Sequence, residues 1–87
     1  MKTTWKFRLE LADEQTLMMP EGAEILSAQM QGETLCMWAL VEPDAPKQRR
    51  VIEIIGTGNP ASDTDRRYIS TVQMCSGALV WHIFEKT

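Results

Sequence analysis

The stretch Leu35-Cys36-Met37-Trp38-Ala39-Leu40-Val41 is the longest uninterrupted apolar run in the chain, with Gly32 before it and Pro43 after it. Seven residues suit a strand better than a helix, and a strand with no polar alternation is one covered on both faces. The run therefore reads as the central strand of a small β domain, with Trp38 at the middle of its core.

Upstream, Gln31-Gly32-Glu33 reads as a tight turn, so residues 23–31 and 34–42 form a hairpin. Within 23–31, Leu26, Ala28 and Met30 share one face under period-two alternation, opposite Ser27, Gln29 and Gln31. The Ala, Glu, Leu, Gln and Met content also permits a short helix there. The alternation, and Gly32 leading straight into the apolar run, favour a strand. Further upstream, Trp5-Lys6-Phe7-Arg8-Leu9-Glu10-Leu11 alternates strictly, the pattern of a half-buried strand with Trp5, Phe7, Leu9 and Leu11 facing the core. Thr16 to Met19 is a further short strand, stopped by Pro20-Glu21-Gly22. Its adjacent Met18 and Met19 point to opposite sides.

Downstream, the polar loop Glu42 to Lys47 leads into a β-branched strand, Arg49 to Ile55. Gly56-Thr57-Gly58-Asn59-Pro60 ends that strand and opens a loop to about Arg66. Tyr68 to Cys75 and Ala78 to Phe84 are the last two strands, joined by a Ser76-Gly77 turn. Seven short strands at regular spacing predict an all-β fold, a small antiparallel sandwich or partly open barrel. Eighty-seven residues predict one domain over 1–87 with modest stability, about 5 kcal/mol.

Composition narrows the function classes. A net charge of −3 argues against nucleic acid as the main partner, which usually demands a basic excess. No apolar run approaches the length of a membrane-spanning helix, and the N-terminus lacks the apolar core of a signal peptide, so a cytoplasmic setting is expected. Two cysteines and a single histidine do not make a zinc ligand set, and no cofactor motif is present. Cys36 and Cys75 both lie in apolar runs and are expected to be reduced and buried.

Several segments resemble a known family. They are Trp5-Lys6, Met19-Pro20-Glu21-Gly22-Ala23-Glu24-Ile25-Leu26, Trp38-Ala39-Leu40-Val41, Gly56-Thr57-Gly58 and Leu79-Val80-Trp81-His82-Ile83-Phe84. In order and spacing this is similar to a family of small uncharacterised proteins encoded by tailed bacteriophages and prophages. The resemblance implies a gene product acting in a bacterial host cell. It carries no activity, so no functional residue transfers with it.

Four features compete as sites. The loop Gly56, Thr57, Gly58 and Asn59 follows a strand, as phosphate-cradling loops do, but it lacks the third glycine of a dinucleotide fingerprint and the lysine of a P-loop. It reads as a strand-ending turn. His82 has Cys75 as its only plausible nucleophilic partner, and the spacing does not support a catalytic pair. The methionines read as core filling. The arginine pairs Arg49-Arg50 and Arg66-Arg67 flank the same loop, where they can be solvated strand ends or a binding patch. The favoured expectation is a non-enzymatic protein, monomeric or a small homo-oligomer. It binds a protein partner through Arg50, Arg66 and Arg67. A minor virion or assembly protein is the alternative, and a small enzyme using Cys75 and His82 a second one.

Overall fold

The computed structural model describes residues 1–87 and contains seven antiparallel strands and no helix. They are β1 (Thr3–Arg8), β2 (Glu14–Pro20), β3 (Glu24–Gln31), β4 (Thr34–Val41), β5 (Lys47–Gly56), β6 (Arg66–Met74) and β7 (Leu79–Lys86). Three form one sheet in the order β1-β4-β3, and four form a second in the order β2-β5-β7-β6. The sheets do not close into a barrel. Of residues 23–31, Glu24–Gln31 are strand and none is helix, and no helix is present that is long and apolar enough to cross a membrane.

The run Leu35–Val41 is the central strand of the three-stranded sheet, as its composition predicts. Its faces differ, however. Leu35, Met37, Ala39 and Val41 enter the core with Ala28, Met19, Ile52, Ile54, Val72 and Ile83. Trp38 lies on the opposite, outer face between Lys6 of β1 and Ser27 of β3 and is only half-buried. The expectation that Trp38 is the centre of the core is therefore corrected: Met37, wholly buried, holds that place. The outer face is covered by side chains, not by another layer of backbone. Lys6 Nζ reaches Gln31 Oε1 at 2.7 Å, and the Cys36 thiol lies 4.0 Å from the same oxygen. That polar strap explains why Cys36 is 1% exposed while facing away from the core.

Three other expectations shift. The first strand ends at Arg8, and Leu11 projects into solvent instead of the core. In β3 the register slips between Ile25 and Ser27, a bulge that turns Leu26 outward while Ala28 and Met30 stay inward. The β6–β7 connection is a four-residue turn, Cys75 to Ala78, not Ser76-Gly77 alone. Gly77 N–H donates to Met74 C=O at 3.1 Å and Ala78 N–H to Cys75 C=O at 3.0 Å. Cys75 and Ser76 both take the left-handed conformation, with φ of 54° and 56°. Cys75 is thus carried out of the strand and exposed, so the expectation of two buried thiols holds for Cys36 alone; both are free.

Candidate functional site

The outer face of the four-stranded sheet carries two of the sequence's candidate residues, Arg66 and His82. Strand alternation places Glu53 and Ile55 of β5, His82, Phe84 and Lys86 of β7, and Arg66, Tyr68 and Thr71 of β6 on this side. Tyr68 is 58% exposed. Its ring meets Phe84 edge-on, with centroids 5.8 Å apart. The Arg66 guanidinium lies 5.8 Å from the Phe84 ring centre. Cation, ring and ring therefore form one continuous strip.

A hydrogen-bond chain extends the strip. The Tyr68 and Thr71 hydroxyls are 2.7 Å apart, Thr71 Oγ1 is 3.0 Å from His82 Nδ1, and His82 Nε2 is 2.8 Å from Thr57 Oγ1. Both imidazole nitrogens are engaged by hydroxyls, which holds the ring in one orientation. Thr57 arrives there because the loop Gly56 to Asn59 is a tight turn. Asn59 N–H donates to Gly56 C=O at 3.0 Å, and Gly58 has the positive φ of 85° that a type II turn requires at its third residue. Gly56 is needed for a different reason: a Cβ there would lie 2.8 Å from the Asn59 side chain and 3.1 Å from the Trp81 ring. The loop packs on Trp81 and hands Thr57 to His82. Its glycines serve a turn, as the sequence suggested.

The three arginines expected to share a surface do not. Arg50 turns inward. Its guanidinium grips the Glu85 carboxylate through Nε and through Nη2, the latter at 3.1 Å from Oε1. Its Nη1 donates to the Ala23 carbonyl at 2.9 Å. With 13% of its side chain exposed, Arg50 ties β5 and β7 to the entry of β3 between the two sheets. The Glu85 hydrogen bond, ahead of its charge and against burial, raises the arginine's pKa. Arg66 lies on the outer face, where it donates to Glu53 Oε1 at 2.7 Å and to the Ser62 carbonyl at 2.7 Å. Hydrogen bonding to Glu53 likewise raises its pKa. Arg67 is exposed and forms no ion pair. The carboxylates that hold Arg50 and Arg66 come from strands β7 and β5, not from the neighbouring loops. Sequence proximity pointed to the loops; the ladder between β5, β7 and β6 decides the partners.

Cys75 and His82 are not brought together. Met74 pairs with Leu79 and Thr71 with His82, so three rungs, roughly 10 Å, separate His82 from the turn that carries Cys75. Residues that the sequence did not single out complete the strip. Tyr68 and Phe84 were read only as strand residues, and the cross-strand pairing of Tyr68 with Phe84 is what exposes them as a unit.

This architecture defines a small two-sheet β domain with an aromatic and cationic strip on the outer face of its larger sheet. The chain belongs to the family described as Domain of unknown function (DUF7352), whose model matches residues 1–87. No curated protein and no solved structure matches the chain.

Proposed function

We propose that the protein is a non-enzymatic binding module that engages another protein through the Arg66–Phe84–Tyr68 strip. The observation that carries this reading is the exposed Tyr68 ring, backed by Phe84, with Arg66 on the far side of Phe84. Tyrosine and arginine dominate the energetic centres of protein interfaces because they bury large rigid area and keep a polar handle. Here the supporting groups are already ordered: Arg66 by Glu53 and Tyr68 by Thr71, so little side-chain entropy remains to be lost on binding. Arg67, opposite Glu85 in the β6–β7 ladder, is exposed on the other side of the sheet. Neither it nor Arg50, held by Glu85, has a part in the contact.

The sequence resemblance to phage and prophage proteins supplies the setting: an accessory protein acting on a protein of a bacterial cytoplasm. Affinity capture from bacterial lysate, read by mass spectrometry, tests the reading. The wild-type chain is expected to retain a specific protein, and Tyr68→Ala to weaken that capture at least about tenfold, or roughly 1.4 kcal/mol, at unchanged melting temperature. Capture undiminished by that substitution, or no specific capture at all, overturns it.

A further inference from the structure

His82 and Tyr68 are the single histidine and the single tyrosine of the chain. Thr71 joins them. Its Oγ1 lies 2.7 Å from the Tyr68 hydroxyl and 3.0 Å from His82 Nδ1, while Thr57 Oγ1 lies 2.8 Å from His82 Nε2. The β6–β7 ladder fixes this geometry. Thr71 stands opposite His82, and Tyr68 opposite Phe84, the next residue of β7 on the same face. Residues three apart on a regular strand point to opposite faces. The register slip between Tyr68 and Ser70 brings Tyr68 and Thr71 to the same one.

Hydrogens fit this relay in only two orders between Tyr68 and His82. A hydroxyl donates one hydrogen, and a ring nitrogen either donates or accepts. Where Nδ1 accepts, Thr71 O–H donates to it and Tyr68 O–H donates to Thr71. The Tyr68 oxygen then turns its lone pairs outward. Where Nδ1 carries a hydrogen, it donates to Thr71, Thr71 O–H donates to Tyr68, and the Tyr68 O–H points outward. A neutral ring favours the first order. A phenol O–H is a stronger donor than an alcohol O–H, and successive bonds of one sense polarise each other. An imidazolium permits only the second order, because both of its nitrogens donate.

We infer that His82 sets the hydrogen-bonding sense of the strip. With a neutral imidazole, Tyr68 receives a donor of the bound protein; with an imidazolium, it presents its own O–H. The inference rests on the binding role proposed for the strip and names what the partner supplies there at neutral pH, a backbone or side-chain N–H. Acidification then sets two donors against each other and releases the partner. Histidine is the side chain that ordinarily changes charge between pH 5 and 8. No other charged group touches the ring, since both of its nitrogens meet hydroxyls. Glu53 of β5 is held by Arg66 of β6, and Glu14 of β2 by Lys86 of β7. Asp63 of the loop acts on Arg66. Asp13 lies beside Ile54 before β2, and Arg49 stands opposite Met18 at the far end of β5. Ile55, the β5 residue opposite His82, is apolar.

Nuclear magnetic resonance of the full chain tests the inference, with histidine labelled on its ring nitrogens and tyrosine on Cζ. Each label marks one residue. The measurement needs no partner, so its outcome stands apart from that of the lysate capture. At about pH 8, above the ordinary histidine range, the nitrogen shifts should place a hydrogen on Nε2 and none on Nδ1. On acidification the Tyr68 Cζ signal should step with the same midpoint as the His82 nitrogens. Thr71→Val, at an exposed position, removes the relay and keeps the imidazolium charge, so the Tyr68 step should vanish. Thr57→Val acts on the other nitrogen and should preserve it. Of the protein that the wild-type chain retains from lysate at about pH 8, at least about threefold more should elute at about pH 5.5 than elutes from Thr71→Val. Elution equal from the two overturns the inference. So does a hydrogen on Nδ1 at about pH 8, a Tyr68 signal that ignores the His82 titration, or a Tyr68 step that survives Thr71→Val.

Discussion

The Ser70 hydroxyl accepts the backbone N–H of Ala28 at 3.0 Å, joining the two sheets side chain to main chain. Ser27 Oγ lies 3.3 Å from the same oxygen. The bond forms where both strands are bulged, between Ile25 and Ser27 in β3 and between Tyr68 and Ser70 in β6. Each bulge bends its strand, so the sheets turn a corner where a continuous ladder would otherwise run. Ser70 satisfies a buried donor that this bend leaves without a ladder partner.

Ser70→Ala is therefore expected to destabilise by about 1–3 kcal/mol, the cost of an unsatisfied buried N–H. Ser70→Thr, which keeps the hydroxyl, should recover part of the loss. Urea denaturation checks both; a Ser70→Ala midpoint equal to wild type would show that Ala28 finds another acceptor.

The core shows how far hydrophobic pattern can be read. Strand type, the Gly32 hairpin and the two-sheet class follow from period-two alternation and glycine placement. What alternation cannot tell is which face of a wholly apolar strand meets the core, because both faces of residues 35–41 look alike. Lys6 and Gln31, polar in the sequence, supply the cover over Cys36. Met37→Ala is accordingly expected to destabilise by about 2–5 kcal/mol, as buried large-to-small changes do. Trp38→Ala, half-exposed, should lose less, about 1–2 kcal/mol, from its smaller buried area. Chemical denaturation of the two variants decides the order, and a larger loss at Trp38 would put the core on the other face.

The thiols should differ in rate. Cys75 is exposed on its turn and Cys36 is shielded at 1% exposure. A thiol reagent is expected to consume one equivalent quickly in the native state and the second only on unfolding or slow opening. Cys75→Ser should abolish the fast phase and leave the slow one. Two fast equivalents in the native protein would mean that the Lys6–Gln31 strap does not cover Cys36.

Alkaline stability should depend on Lys86. Its ammonium donates to Glu14 Oε1 at 2.6 Å, and this hydrogen bond, opposed by desolvation, raises its pKa above the ordinary 10.5. A group with a raised folded-state pKa contributes fully below its unfolded value and loses that contribution as pH rises through the folded one. The melting temperature of the wild type should therefore fall more steeply than that of Lys86→Met above about pH 10.5, and the difference between them should be constant across the neutral range, where Glu14 is ionised. Parallel alkaline limbs for the two proteins would contradict the pairing.

Arg50 and Glu85 illustrate the other limit of sequence reading. Arg49 and Arg50 are neighbours and look equivalent, yet alternation sends them to opposite faces: Arg49 to solvent, Arg50 into the interface between the sheets. Nothing near them in sequence names Glu85, 35 positions away, as the partner. Once paired, the two charges are nearly removed from water, at 13% and 8% side-chain exposure. Such a pair is weak evidence for net stability, because desolvation opposes the attraction, but removing one member leaves the other unpaired. Glu85→Gln is expected to destabilise by about 3–5 kcal/mol, enough to unfold a domain of this size. Arg50→Met combined with Glu85→Leu should be far milder than the sum of the single changes, since no orphaned charge remains and only the Ala23 carbonyl loses a donor. A double-mutant cycle by calorimetry measures the coupling. Additive losses would show that the two side chains act independently and that the sheets are held at this end by apolar contact alone.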